Sequence, residues 1–494
     1  MPAWPTGERC LTEVSEAAPD IFSFYRMPVR FVHVEELMAT QEHAIRQFKQ
    51  RSHAINLQSL LRLSMPMFVP LYCAAFNWSY VTWISPIWGY LGPTYKSPNA
   101  FLMIVGYLLA VFISTLSPLR INRVSQVIYW LLYFTVYIPG LFVPLFMQLD
   151  SGLTLLLLQL TMTSGMLIIA LSYRLRLLNL RRYELEPPAF WAAFSVLFLL
   201  CNLALFIVFR GSIHLSSLAQ VYSTRSSAAR VLQENAGISY VAVMLSNVLN
   251  PFLIAYGLTA KRRDLVVLGV MGQIFVYATA AMKSVIISPL VIIAFYFSIR
   301  KDRGGWVPKL CLAVASMFFV LTALVLGERP GPIYDLASAT LVRGFALPGV
   351  FVGQYQYFFE NFPHTHLAHI HGVNLLLANP YEMQLGQEMG AFYVGTSQSG
   401  GVMDANANFF AFDGIAGFGL PGIPIMGVIC AGMFWLIDSS ARKHSLSFAS
   451  AALTMSAISL ANASLFTSFL GGGFLFWILC FLVMPHETLE GRPT

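Results

Sequence analysis

The stretch PKLCLAVASMFFVLTALVLGERPGPIYDLASATLVRGFALPG, Pro308 to Gly349, decides the fold. It opens with about twenty apolar residues, the length a helix needs to cross a hydrocarbon layer of about 30 Å. At Glu328 and Arg329 it turns polar, and the run from Glu328 to Asn408 reads as one long outward-facing segment between membrane spans. A protein that only moves solutes keeps such connections short. Here arginines, histidines and acids are gathered on one, which suits chemistry on something held at a membrane face.

Working outward, the same apolar texture recurs along the chain. Hydrophobic residues make up 57% of it and charged residues 11%, with a mean hydropathy of +0.65. That composition excludes an ordinary soluble domain. The six cysteines (Cys10, Cys73, Cys201, Cys311, Cys430 and Cys480) have no paired spacing, so neither a disulfide framework nor a cysteine metal site is expected. The net charge of +7 is distributed in short loops: Arg120/Arg123, Arg174 to Arg182, Lys261 to Arg263, Arg300 to Arg303, and Arg442/Lys443. This is the positive-inside pattern of a polytopic membrane protein and not a nucleic-acid surface.

Hydropathy gives about twelve spans, near 65–88, 99–117, 125–147, 152–172, 189–209, 237–259, 265–281, 285–299, 308–327, 411–437, 447–463 and 469–485. Basic loops fall on every second connection, which puts both termini in the cytoplasm. Residues 1–58 read as a cytoplasmic tail and 59–494 as the membrane domain, with outward segments near 210–236 and 328–408. The expected fold is therefore an all-α polytopic bundle. Seven of the 30 Lys and Arg fall outside on this topology: Lys96, Arg210, Arg225, Arg230, Lys283, Arg329 and Arg343.

Those exceptions are candidate binding groups. The smaller outward segment carries VYSTRSSAARV, with Arg225 and Arg230, and the larger carries Arg329 and Arg343. Guanidinium groups pair bidentately with phosphate oxygens and stay charged at any working pH, whereas a bland reading makes them plain surface charge. Lys283, in AAMKS between two closely spaced spans, either snorkels or adds a contact to the same anion. The amphiphilic stretch YQYFFENFPHTHLAHIHGVN is expected to form helices lying against the outer bilayer face. Its histidines (His364, His366, His369, His371) lack the HExxH spacing of a metal site. His364 and His366 are candidate general bases, with Asp413 at the entry of the next span as an alternative. Neither metal nor cofactor is expected.

VYSTRSSAARV, AAMKS, ATLVRGFALPG and NANFFAFDGIAGFGLPG, spread over a dozen spans with a large outward loop before the third-last, resemble the Wzy-type O-antigen and exopolysaccharide repeat-unit polymerases. The resemblance covers about residues 65–485 and its motifs are loose. It implies a GT-C-like membrane glycosyltransferase of the bacterial inner membrane with its site facing the periplasm. The donor it implies is a glycan on undecaprenyl diphosphate, the acceptor a lipid-linked repeat unit, and a further partner a chain-length regulator. Arg225, Arg230, Lys283 and Arg343 would hold the donor diphosphate, and a histidine or acid of the large loop would deprotonate the acceptor. An O-antigen ligase using the same donor is the nearest alternative, and a lipid-linked oligosaccharide flippase a more distant one.

Overall fold

A computed structural model describes residues 64–211, 213, 235–280, 283–301, 304–327, 331–370, 372–395 and 404–485. Among the described residues every regular element is helical. The helices are α1 (64–88), α2 (Ala100–Leu116), α3 (Val124–Met147), α4 (Gly152–Ser172), α5 (Pro187–Phe209), α6 (Gly237–Thr259), α7 (Arg263–Ala280), α8 (Lys283–Lys301) and α9 (Trp306–Val325). They continue with α10 (Pro332–Asn361), α11 (Leu385–Val394), α12 (Gly422–Ala441) and four short helices. The short helices are α13 (Leu446–Ala452), α14 (Thr454–Leu460), α15 (Leu465–Leu470) and α16 (Phe474–Val483). Nine helical stretches among the described residues are long and apolar enough to cross a membrane, so the protein is a polytopic membrane protein. The tail over residues 1–58 and most of the 210–236 segment lie outside the described residues.

Among the described residues five π segments occur: Tyr80–Ile84, Tyr133–Tyr137, Leu245–Leu249, Ser338–Ala346 and Phe410–Ile415, the last leading into a short helix Ala416–Phe418. A widened turn shifts the backbone pairing and exposes a carbonyl that lipid cannot satisfy, so a buried side chain must supply the donor. Tyr72 donates to the Phe134 carbonyl at 2.7 Å, and Gln273 to that of Ser246 at 2.8 Å. Around the first of these, Tyr72, Phe76, Phe134, Phe318 and Phe345 form a contiguous aromatic core. Helices α4 and α12 meet at Gly165 and Gly427. There a Cβ on Gly427 would stand 2.9 Å from the backbone of Gly165, so only the small residue allows the approach.

The basic connections gather at one end of the bundle. Arg123 donates to the Leu175 carbonyl at 2.8 Å, Trp435 to that of Arg176 at 2.8 Å, and Arg182 to that of Phe481 at 2.8 Å. The opposite end holds the 89–99 and 148–151 connections, joined where Lys96 N–H donates to Phe146 and Gln148 to Ser97. Both ends of α10 meet this second end, because Tyr334 packs on Trp83 and Trp88 while Thr154 bonds Glu360 at 3.4 Å. Of the stretch expected to form helices on the outer bilayer face, only Tyr355 to Asn361 is helical, as the end of a 30-residue helix apolar enough to qualify as a span by composition. The described residues from 362 to 374 leave it as a loop with a single 3-10 turn. The three C-terminal spans are more broken than hydropathy indicates. Gly419 (φ +66°) and Pro421 interrupt 411–437, a turn at Leu453 divides 447–463, and Gly473 (φ +99°) divides 469–485.

Candidate functional site

The histidine run folds into a tight loop where α10 ends. His366 (φ +47°) and Leu367 (φ +67°) are consecutive non-glycine residues in the left-handed region, a conformation costing of order 1 kcal/mol or more each. The reversal turns His364 and His369 inward and leaves His366 exposed. Loop and π segment are then stitched together. The Thr365 N–H donates to the Ala416 carbonyl at 2.8 Å, and Gly417 packs on Leu367.

At the floor lies Asp413, whose side chain is completely buried. It accepts from the Ser464 hydroxyl at 2.7 Å and from the Leu465 N–H at 2.6 Å, so it holds the N-terminus of α15 from another element. Its third partner is His369, with Nε2 at 3.4 Å from Oδ1 and only 2% of the side chain exposed. The other ring nitrogen of His369, Nδ1, lies 2.7 Å from the Thr365 hydroxyl. A carboxylate can only accept, so the proton facing it belongs to Nε2, while the Thr365 hydroxyl at Nδ1 also donates to the Ala416 carbonyl at 3.1 Å. Both nitrogens are committed. His369 is built to orient the loop over Asp413.

His364 is placed differently. Its ring stacks on Phe359 at 5.8 Å and lies 6.4 Å from that of His366. Its Nδ1 has no hydrogen-bond partner. Burial lowers its pKa below the ordinary histidine value, the neighbouring His366 lowers it further, and the Ile415 backbone partly opposes both. Both the burial and the neighbouring ring favour the neutral imidazole, and its unpartnered Nδ1 is buried. Gly419 makes room for it, since a Cβ there would come within 3.3 Å of the ring.

A second acidic group stands nearby on the same end. Asp150, half-buried in the 148–151 connection, has its pKa pushed up to about 7 by burial and by the neighbouring Glu360 carboxyl. Asn406 donates to Asp404 at 2.8 Å beside the start of α11, and Asn408 is buried with its amide donating to the Pro348 carbonyl at 3.2 Å. Asn408 therefore anchors backbone, whereas Asn406 pairs with a neighbouring side chain.

Of the residues singled out from sequence, His364, His366 and Asp413 come together around this loop. Arg225, Arg230, Arg329 and His371 lie outside the described residues, as does the side chain of Lys283, which opens α8. Arg343 is exposed on the π segment of α10 between buried Val342 and Phe345. Sequence reading missed the pairing of His369 with Asp413, and the roles of Thr365 and Ser464. The i, i+4 spacing of Thr365 and His369 was the available signal for a shared face, but Asp413 and Ser464 are distant in the chain. Among the described residues no three His, Cys, Asp or Glu side chains are grouped to hold a metal ion. Compared with protein-family models, with curated proteins and with solved structures, the chain matches none.

Proposed function

We propose that the chain is a membrane glycosyltransferase that polymerises undecaprenyl-diphosphate-linked oligosaccharide repeat units. The observation that carries the reading is His364, whose pKa is lowered by burial and whose buried Nδ1 has no partner, on the same loop as the His369 that pairs with buried Asp413. In the step envisaged, His364 takes the proton of an acceptor hydroxyl as that oxygen bonds the donor's anomeric carbon. The glycosyl–diphosphate bond breaks, and the diphosphate leaves on its polyprenyl carrier. Arg225, Arg230, Lys283, Arg329 and Arg343 are assigned to the diphosphate, where fixed cations stabilise the charge that grows as it departs. No metal or cofactor takes part in this scheme.

On this reading the bundle has about twelve spans and both termini in the cytoplasm, with the histidine loop at the periplasmic face of a bacterial inner membrane. Its partners are the lipid-linked donor and acceptor, the surrounding lipid, and a chain-length regulator. Gene deletion in the host, with electrophoresis of surface glycan and analysis of lipid-linked intermediates, tests it. Loss of the polymer ladder with single repeats still exported supports the polymerase. Full-length polymer stranded on undecaprenyl diphosphate replaces it with a ligase, and repeats trapped at the cytoplasmic face with a flippase.

A further inference from the structure

The loop that carries the histidines has a second face. Its neck is closed by Tyr381, whose hydroxyl donates to the Pro363 carbonyl at 2.6 Å and whose ring packs on Phe358 and Phe359 of α10. Gly372 (φ +101°) then reverses the chain, a single 3-10 turn over Val373–Leu375 follows, and the tip is Leu375, Leu376 and Leu377. These three leucines are 85%, 86% and 47% exposed. Exposed leucine side chains are costly in water, so three in a row at a turn mark a surface that is covered in use.

Three observations identify the cover as lipid. From Asn361 to Tyr381 there is no Asp, Glu, Lys or Arg, so no fixed charge opposes entry into a low-dielectric layer. Beside the neck, the partly exposed rings of Phe362 and Phe392 lie 5.6 Å apart and extend the apolar surface. The helix that delivers the loop ends against Thr154, next to Leu153, which is exposed on the candidate span α4. The apolar surface thus continues that of the bundle itself. A protein partner would call for a polar rim of complementary charge, which this segment lacks.

We infer that Leu375–Leu377 insert into the interfacial layer of the bilayer at the histidine end and set the depth at which the Thr365–His369 wall works. The insertion needs only that the chain spans a membrane. The further point, that the depth matches a lipid-borne phosphate, rests on the glycosyltransferase reading. The occupant is the bilayer interface, made of phospholipid headgroups and the first methylenes.

The test is depth measurement in vesicles of phosphatidylethanolamine and phosphatidylglycerol. The five described native cysteines are buried and Cys10 is replaced by serine, so a spin label on Leu376→Cys reports the tip. Glu382→Cys, just beyond the neck and exposed, gives the aqueous reference. The expected result is a tip label several-fold more accessible to oxygen, and less to a water-soluble nickel chelate, than the reference. Equal nickel accessibility at both sites would place the tip in water and overturn the inference. A tip label immobile and shielded from both relaxants would mean that protein covers it, with the same consequence. Neither result bears on glycosyl transfer, which the glycan ladder reads separately.

Discussion

Two aspartates, one toward each end of the bundle, solve the same local problem and differ in one partner. Asp438, near the basic end, accepts from Ser125 at both its N–H (2.9 Å) and its hydroxyl (2.6 Å), thereby holding the start of α3. Asp413, near the histidine end, does this for α15 through Ser464 and Leu465. Each carboxylate is buried and each ties a helix N-terminus to a remote element, where the peptide dipoles favour negative charge. Beyond Asp438 the Ser125 hydroxyl leads on to that of Tyr173, and Arg123 lies over the Tyr173 ring. Asp413 instead faces His369, with His364 and His366 on the same loop. A buried aspartate alone therefore signals architecture here. The imidazole beside it is what distinguishes the two ends, and on the proposed reading it marks the working one.

The comparison breaks most visibly at His364. If the proposed function holds, replacing it with alanine lowers the polymerisation rate at least about 100-fold at unchanged protein level, the range for loss of a general base. A purified enzyme with lipid-linked repeat units measures this, and a rate within twofold of wild type would remove His364 from the chemistry. Next come the two aspartates. Asp413→Ala and Asp438→Ala should each cost about 1–3 kcal/mol for the orphaned donors, read as lower thermal midpoints in nanodiscs. Only Asp413→Ala should also abolish turnover per folded molecule. If Asp438→Ala did so equally, the division between the ends would fail.

A smaller effect concerns Asp150. Its folded pKa of about 7 lies above that of the unfolded chain, because burial and then Glu360 favour the protonated acid. The folded state thus holds the proton more tightly, and Asp150's contribution falls as pH rises from about 4 to about 7. Asp150→Asn should leave the thermal midpoint unchanged near pH 4 and raise it relative to wild type at pH 8. A constant offset across that range would rule out titration as the cause. The smallest expected change is in the acid limb of the rate profile. It should lie below the ordinary histidine value and move upward in His366→Ala, which removes one of the influences lowering the His364 pKa.

Much of this arrangement was legible in the residues. Runs such as Gly152–Ser172 and Pro187–Phe209 could only be helices in lipid, and the basic loops foretold which connections gather together. His364, His366 and Asp413 stood out in the sequence because ionisable groups are rare in such a chain. Hydropathy could not see the breaks at Gly419, Leu453 and Gly473, since all three lie within apolar surroundings and depend on backbone dihedrals. Nor could it assign α10, because a composition fit to cross a membrane belongs here to a helix with both ends at one face. The His369–Asp413–Ser464 contact joins three segments far apart in the chain, and no local pattern encodes such a meeting.

The π segment Phe410–Ile415 bears on how this arrangement can vary. A widened turn is an α-helical turn with one residue added, and each residue advances a helix by about 100°. The backbone is fixed upstream by Asn408 at the Pro348 carbonyl, and downstream by Ala416 and the Gly165–Gly427 crossing. The extra residue therefore sets the angular phase of Asp413 between two clamps. Deleting one residue from Phe410 to Phe412 would swing the carboxylate about 100° away from Ser464 and His369 while keeping the composition of the segment nearly intact. A length change here is thus a harsher perturbation than most substitutions, whereas the leucine tip, free of such clamps, is where insertions would be absorbed.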